Sequence, residues 1–465
     1  MKKTKIVCTL GPCSRKPAVI KDMIKAGMDV ARINMSHGSH EYHKETINLL
    51  RGINDSIPII ADLKGPEIRI KEIERPVFLS AGDRVKLCGK EKVGCLLIDY
   101  RNVHEAVSSG SRILLDDGLI ELGVDAVDND VVICTTKNSG TLNNNKKVTI
   151  PGGNLVIPFP SKHDKEDILF ACEHKLEFIA VSFVKQKEDI TAVRKIIGDS
   201  QCLVIAKIET RESVENIMDI IQESDGIMIA RGDLGVELAP EEVPFIQKYI
   251  IRLCNKMGKP VITATQMLES MIKNPRPTRA ETSDVANAIL DGTDAIMLSG
   301  ESAIGEYPSQ AVQVMTKIAL RMEKLVRHSI SDVGASISQS ISHAAYQLSL
   351  NEFVTKIITT TTSGFSARML VRFRPRKQVI AVTHDPLVRN QLMLDWGVIP
   401  LCFSHKVRHT HQIIDNALES CLSKGLINQE DVVVLTAGIE TLDAGHTNLI
   451  EIHRVGEVMK LRGWK

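Results

Sequence analysis

The chain has 465 residues, 58 Lys and Arg against 57 Asp and Glu, a formal charge of +1, and 43% hydrophobic residues. That length gives room for about three domains of ~150 residues, each with an apolar core, and excludes a small peptide-binding module. The balanced charge speaks against nucleic acid or an anionic membrane as partner, and 4% aromatic residues leave no platform for stacking bases.

Short β-rich apolar segments recur along the chain, each followed by a polar or glycine-containing break and a helix-like stretch. They are KIVCTL (5–10), DVARINM (29–35), PIIADL (58–63), FIAVSF (178–183), LVIAKIE (203–209), GIMIARG (226–232), PVITATQ (260–266) and DAIMLSG (294–300). Near-continuous Val, Ile and Ala content suits strands buried on both faces, and eight such βα units predict an α/β fold built on a (β/α)8 TIM barrel. Segment starts lie roughly 23 to 35 residues apart, the length of one βα unit, except for a gap of about 120 between the third and fourth. Within that gap, RVKLC, GCLLIDY, SRILLDDGLIELGV and DVVICTTK alternate in short runs, with a turn signal at Asp117-Gly118. The pattern predicts an inserted all-β lid domain over 71–157, between barrel segments 1–70 and 158–330. After the stretch GEYPSQAVQVMTKIALRMEKLVRHS (305–329), whose apolar positions from 311 to 325 make a helical face, KIITTTT, QVIAVT, VIPLCF, DVVVLTAG and NLIEIHRV predict a C-terminal α/β domain over 331–465.

Ten cysteines are scattered with no CxxC pair, which reads as reduced packing residues in a cytoplasmic protein. The opening MKKTKIVCTLGPCSRK breaks at Gly11-Pro12, too early for a signal sequence, and no run reaches the ~20 apolar residues of a membrane span.

Barrel enzymes carry their chemistry at the carboxyl ends of the strands, and six of these eight ends are polar. The second carries Arg32, Asn34, Ser36 and His37; the third Asp62, Lys64, Glu67 and Arg69; the fifth Lys207 and Glu209. The sixth carries Arg231, Gly232 and Asp233, the seventh Thr265 and Gln266, the eighth Ser299 and Glu301. Lys207 and Glu209, two apart on a strand, project from one face. Glu209 with Asp233 supplies two carboxylates suited to a hard divalent ion such as Mg²⁺, while Arg32, Arg69 and Lys207 point to an anionic, phosphorylated substrate. This set suits phosphoryl or enolate chemistry. No P-loop, dinucleotide fingerprint or HExxH is present, and His37, His40 and His43, although spaced by three, lack an obvious fourth metal ligand.

The blocks TKIVCTLGPCS, ARINMSHG, DLKGPEIR, IAKIET, IARGDLGVE and ITATQMLESMIKNPRPTRAETSDVANAILDGTDAIMLSGESA closely resemble pyruvate kinase, with the domain order matching from residue 4 to about 455. The resemblance implies transfer of the phosphoryl group of phosphoenolpyruvate to ADP, giving pyruvate and ATP. It implies Lys207 as the cation neutralising the transferring group and the enolate oxygen, and Arg32 on the substrate phosphate. The backbone of Gly232 and Asp233 would take the substrate carboxylate, and Thr265 would lie on the proton's route. Glu209 and Asp233 would hold Mg²⁺ or Mn²⁺. Asn34, Ser36, His37 and Arg69 would contact the nucleotide together with a lid lysine, Lys146 in an ungapped register, with Lys147 as rival. Asn34, Ser36, Asp62 and Leu63 would form a K⁺ site, and Glu67 resembles the K⁺-dependent members. Thr361, Thr362, Ser363, Gly364 and Ser366 resemble the family's sugar-phosphate effector loop, although Phe365 stands where a polar or basic residue is frequent. Fructose 1,6-bisphosphate, AMP and a sugar monophosphate all remain open as effector, and a homotetramer is expected. The alternative enzyme class is a Mg²⁺-dependent barrel lyase or mutase acting on phosphoenolpyruvate without nucleotide, which needs neither the lid nor the KGPEIR block.

Overall fold

A computed structural model describes residues 1–153, 155, 157–326, 336–403, 410–438 and 447–464. Eight parallel strands close into a barrel: Lys5–Thr9, Val30–Asn34, Ile59–Asp62, Phe178–Val181, Leu203–Ile208, Gly226–Ala230, Val261–Ala264 and Ala295–Leu298. Neighbours in the chain are neighbours in the barrel. The third strand pairs with the fourth across the insertion (Asp62 against Ala180), and the eighth closes on the first (Ala295 against Lys5).

The reason for this arrangement lies in the side-chain alternation. Val7, Val30, Ile60, Phe178, Ile205, Met228 and Ile262 fill the barrel interior, and their strand neighbours Ile6, Ala31, Ile59, Ile179, Val204 and Ile227 pack outward against the helices. Reciprocal capping boxes start the helices Lys162–Glu173, through Ser161 and Asp164, and Arg279–Asp291, through Thr278 and Glu281.

The insertion is itself a closed barrel of seven strands, with its own core of Ile70, Leu87, Ile98, Ile113, Leu115 and Leu122. Its sheet includes Ile68–Lys71, so the 70/71 division expected from sequence falls inside one of its strands. The turn at Asp117-Gly118 joins Arg112–Leu115 to Ile120–Asp128. Asp116, Asp117 and Gly118 all adopt positive φ, which is why short polar residues and glycine stand there.

The C-terminal unit is a five-stranded sheet. Lys356–Thr360, Gln378–Thr383, Val398–Cys402 and Val432–Ala437 are parallel, and Leu449–Arg454 runs antiparallel at one edge. It docks under the barrel, where Leu394 joins the barrel's inner cluster and Arg374 reaches Asp294 at 2.7 Å. The boundary expected near residue 330 lies outside the described residues. Among the described residues no helix is long and apolar enough to cross a membrane.

Candidate active site

Lys207 stands at the centre of the carboxyl-end face, 9% exposed. Its Nζ lies 3.0 Å from Asp62 Oδ1 and 3.0 Å from Glu209 Oε1, and it donates a hydrogen bond to Ser182 Oγ at 2.6 Å. Burial acts to lower the pKa of this ammonium, but Asp62 and Glu209 outweigh it and hold the group above its ordinary value. Asp62 Oδ2 accepts from Arg32 Nε at 2.6 Å, and Arg32 Nη1 donates to Thr9 Oγ1 at 2.9 Å. Against the penalty of burial, Arg32 and Lys207 keep the Asp62 carboxyl below its ordinary range. Glu209 is pushed the other way, by burial and by the charge of Asp233, despite Lys207 and the Phe183 N–H that donates to Oε2 at 2.7 Å.

The sixth strand runs directly into the helix Arg231–Glu237. Gly232 N–H donates to Thr265 Oγ1 at 2.8 Å, and that hydroxyl donates to the Ala264 carbonyl at 2.6 Å. Thr265 and Gln266 both adopt left-handed φ, +67° and +54°. A β-branched residue there is strained, and the surrounding contacts hold it: Arg231, anchored on Asp284 at 2.7 Å, donates through Nη2 to the Thr265 carbonyl at 2.7 Å.

The lid reaches this face through Lys147. Its ammonium pairs with Asp233 Oδ1 and sits over the Phe183 ring, 4.7 Å from the centroid. Lys146 turns the other way and pairs with Asp116 at 2.8 Å within the lid. The ungapped register pointed to Lys146; the structure brings Lys147 to the carboxylates, because adjacent strand residues face opposite sides and Lys147 is the one paired with Arg69 in the lid sheet. Arg69 is held by Glu67 at 2.6 Å and by the Asn145 carbonyl at 2.7 Å. Asn34 and Asp62 are register partners on adjacent strands, and Asn34 Oδ1 accepts from Ser36 N–H at 3.2 Å. The Leu63 side chain is buried, but its carbonyl faces this cluster and accepts from Ser182 Oγ at 2.7 Å. His37 is exposed at the rim.

The donor set fits a divalent ion. Glu209 Oε1 is buried with Lys207 Nζ beside it at 3.0 Å, and the Asp233 carboxylate stands near enough to add to burial in pushing the Glu209 carboxyl up, so two carboxylates are available to one ion. Two protein carboxylates would leave the remaining positions of a bound ion to substrate and water. Beside Lys147 a cavity of about 480 Å³ opens between lid and barrel, lined by Glu67, Phe183, Lys185, Glu212 and Glu237 among others.

Comparison with known proteins decides the family. Residues 1–312 match the family described as pyruvate kinase, barrel domain, and residues 339–453 match pyruvate kinase, alpha/beta domain. The chain belongs to the pyruvate kinase family. It is similar to the pyruvate kinases of Geobacillus stearothermophilus (43% identity over 481 residues) and Staphylococcus aureus strain USA300 (43% over 475 residues). Each alignment covers 98% of this chain and 81% of the relative. The chain is a phosphotransferase of glycolysis, acting on phosphoenolpyruvate and ADP, in a family that requires metal ions. The reading as a nucleotide-free lyase or mutase is set aside.

In the C-terminal unit of this pyruvate kinase family member, Thr361 Oγ1 accepts from Gly364 N–H at 2.9 Å, and the Ser366 and Thr447 hydroxyls bond each other. Thr362 and Ser363 are exposed at the turn, and Gly364 takes φ +84° ahead of the helix Phe365–Val371. The later loop around Gly438 to Asn448, which lacks an arginine in the sequence, lies largely outside the described residues, in 439–446. Three residues at the catalytic face were missed in the sequence: Thr9, Ser182 and Phe183. The signal for Ser182 and Phe183 was there, since they end the fourth strand as the noted residues end the others.

Proposed function

We propose that phosphoryl transfer runs over the Lys207 cluster. The observation that carries this reading is the buried ammonium shared by two carboxylates, 3.0 Å from Asp62 Oδ1 and 3.0 Å from Glu209 Oε1. Because Asp62 and Glu209 overcome burial and keep Lys207 protonated, it acts as a fixed cation toward the phosphoryl group and the enolate oxygen rather than as the proton donor. Arg32, oriented by Asp62 and Thr9, binds the substrate phosphate. The Gly232 and Asp233 N–H groups take the carboxylate, which requires Gly232 to exchange its bond with Thr265 Oγ1. That exchange frees the Thr265 hydroxyl on the side where the enolate carbon is protonated. Glu209 and Asp233 hold Mg²⁺ or Mn²⁺; when bound, the ion adds charge neutralisation at the phosphoryl oxygens. Asn34, Ser36, Asp62 and the Leu63 carbonyl hold K⁺. Asn34, Ser36, His37 and Arg69 contact ADP, with Lys147 favoured over Lys146 as the lid cation.

The same reading takes the chain as a cytoplasmic homotetramer, with a barrel domain on either side of the insertion, a lid that begins with the strand Ile68–Lys71 rather than at residue 71 and runs to 157, and a C-terminal domain (331–465). That last domain carries a phosphorylated effector at Thr361, Thr362, Ser363, Gly364 and Ser366. The central test is ADP-dependent pyruvate formation in Mg²⁺ and K⁺: Glu209→Gln should lower turnover by ~10² or more, and activity near that of the unaltered protein overturns the assignment. Titrating fructose 1,6-bisphosphate, AMP and a sugar monophosphate against phosphoenolpyruvate saturation tests the effector, and no shift in half-saturation with any of them removes it.

A further inference from the structure

Phosphoryl transfer makes no use of the cysteines, and two of the ten meet at one short connection in the lid. Arg84–Cys88 and Leu96–Ile98 are parallel neighbours there, with Leu87 opposite Leu96 and Cys88 opposite Leu97. Leu87 belongs to the lid core, so Cys88 points to the outer side of the sheet. Cys95, two residues before Leu97, falls on that same side. Cys88 is nonetheless only 1% exposed, because the connection folds back over it. Its thiol donates to the Lys90 carbonyl at 2.8 Å and reaches the Leu96 carbonyl at 3.9 Å. Cys95 is half-buried at the mouth of the connection, where its N–H donates to the Lys92 carbonyl at 3.2 Å. Burial first, and the adjacent Cys95 thiol next, push the Cys88 thiol up from its ordinary value, while the Lys92 ammonium, paired with Asp130, acts the other way.

We propose that Cys88 and Cys95 form a thiol–disulfide exchange site on the outer face of the lid, which takes low-molecular-weight disulfides as its oxidant. The half-buried Cys95 reacts first, since the enclosed Cys88 cannot reach a disulfide in solution. The Cys95 thiolate attacks one sulfur of the oxidant, forming a mixed disulfide and expelling the other sulfur as a thiolate. Cys88 then yields its proton to solvent and attacks the Cys95 sulfur, forming the Cys88–Cys95 bond and expelling the second thiolate. Two protein thiols are oxidised, and one disulfide is reduced to two thiols. The Lys92 ammonium, close enough to feel both sulfurs, favours each thiolate along the way. Cys8, Cys134 and Cys254, each 0% exposed, lie in packed cores and have no such route to solvent.

The test is incubation of the folded, full-length chain with excess oxidised glutathione, alkylation of the remaining thiols, and peptide mapping by mass spectrometry. Cys88 and Cys95 should be recovered joined to each other, with the chain lighter by two hydrogen atoms and restored by dithiothreitol. Cys88→Ser, which lacks the second thiol, should instead retain one glutathione on Cys95, and Cys95→Ser should leave Cys88 unmodified. Circular dichroism establishes that both variants are folded; should either unfold, the linkage in the unaltered chain decides alone. A bond between Cys172 and Cys202, another neighbouring half-buried and buried pair, in place of the lid bond overturns the proposal. So does glutathione that stays on Cys95 in the unaltered chain, or a lid pair that remains reduced.

Discussion

Lys207→Met isolates the charge at the centre of the site. Methionine keeps the length of the side chain but deletes the ammonium lying 3.0 Å from Asp62 Oδ1 and 3.0 Å from Glu209 Oε1, and with it the hydrogen bond to Ser182. Breaking a buried ion pair costs ~3–5 kcal/mol. The low end applies, because Asp62 keeps Arg32 at 2.6 Å and Glu209 keeps the Phe183 N–H at 2.7 Å. Glu209, already pushed up by burial, can also take a proton. The folded protein should therefore survive, with stability lowered by about 3 kcal/mol. One preorganised charge aimed at a developing anion in a dry site contributes ~10²–10³ in kcat. Turnover in coupled pyruvate formation should fall by that factor, with KM for phosphoenolpyruvate moving less because Arg32 remains. Circular dichroism and thermal melting establish that the fold is intact. A folded variant with kcat within tenfold of the unaltered protein refutes the role assigned to this cation.

Thr265→Val removes the hydroxyl that Gly232 N–H uses and should lower kcat by ~10², whereas Thr265→Ser should stay within about tenfold; loss of solvent deuterium uptake into the pyruvate methyl group in the valine variant alone checks the proton route. In buffer with tetramethylammonium as the only monovalent cation, turnover should drop by about tenfold or more and return with KCl; full activity without K⁺ removes the proposed K⁺ site. Burial pushes the Asp395 carboxyl up from 3.8 to about 7, against Arg368 at 3.7 Å and with help from Asp294. The folded state then keeps a proton that the unfolded chain loses, so this group's stabilisation is complete below about 3.8 and is lost as pH rises through about 7, a swing on the order of 4 kcal/mol. Asn carries no such proton, so the Tm of Asp395→Asn relative to the unaltered chain should climb between pH 4 and 8, and a flat difference rejects the assignment.

What sequence could and could not show follows from where each feature's energy lies. The eight strand segments were legible because each is a local run of β-branched residues, and Lys207 with Glu209 because strand alternation alone puts them on one face. The lid lysine was not. Its strand is three residues long, and whether residue 146 or 147 faces the barrel depends on pairing with Arg69, so a one-residue difference in register reverses the answer. The edge of the insertion was misjudged for a related reason: Ile68–Lys71 continues the DLKGPEIR block in sequence but hydrogen-bonds into the lid. Thr265's left-handed φ depends on Arg231 and Asp284, the latter 19 positions along the chain (284 − 265) and on another helix.

These contacts also explain how a chain of net charge +1 can serve very anionic substrates. Arg32, Lys207 and Lys147 face Asp62, Glu209 and Asp233, three cations against three carboxylates, so the site's side chains are neutralised from within. On the proposed assignment, a divalent ion entering alone would meet Lys207 beside Glu209, and a phosphorylated anion entering alone would have to draw Arg32 and Lys207 from their carboxylates. Each would supply the charge that offsets the other's entry, so metal and phosphoryl substrate would bind as one coupled equilibrium.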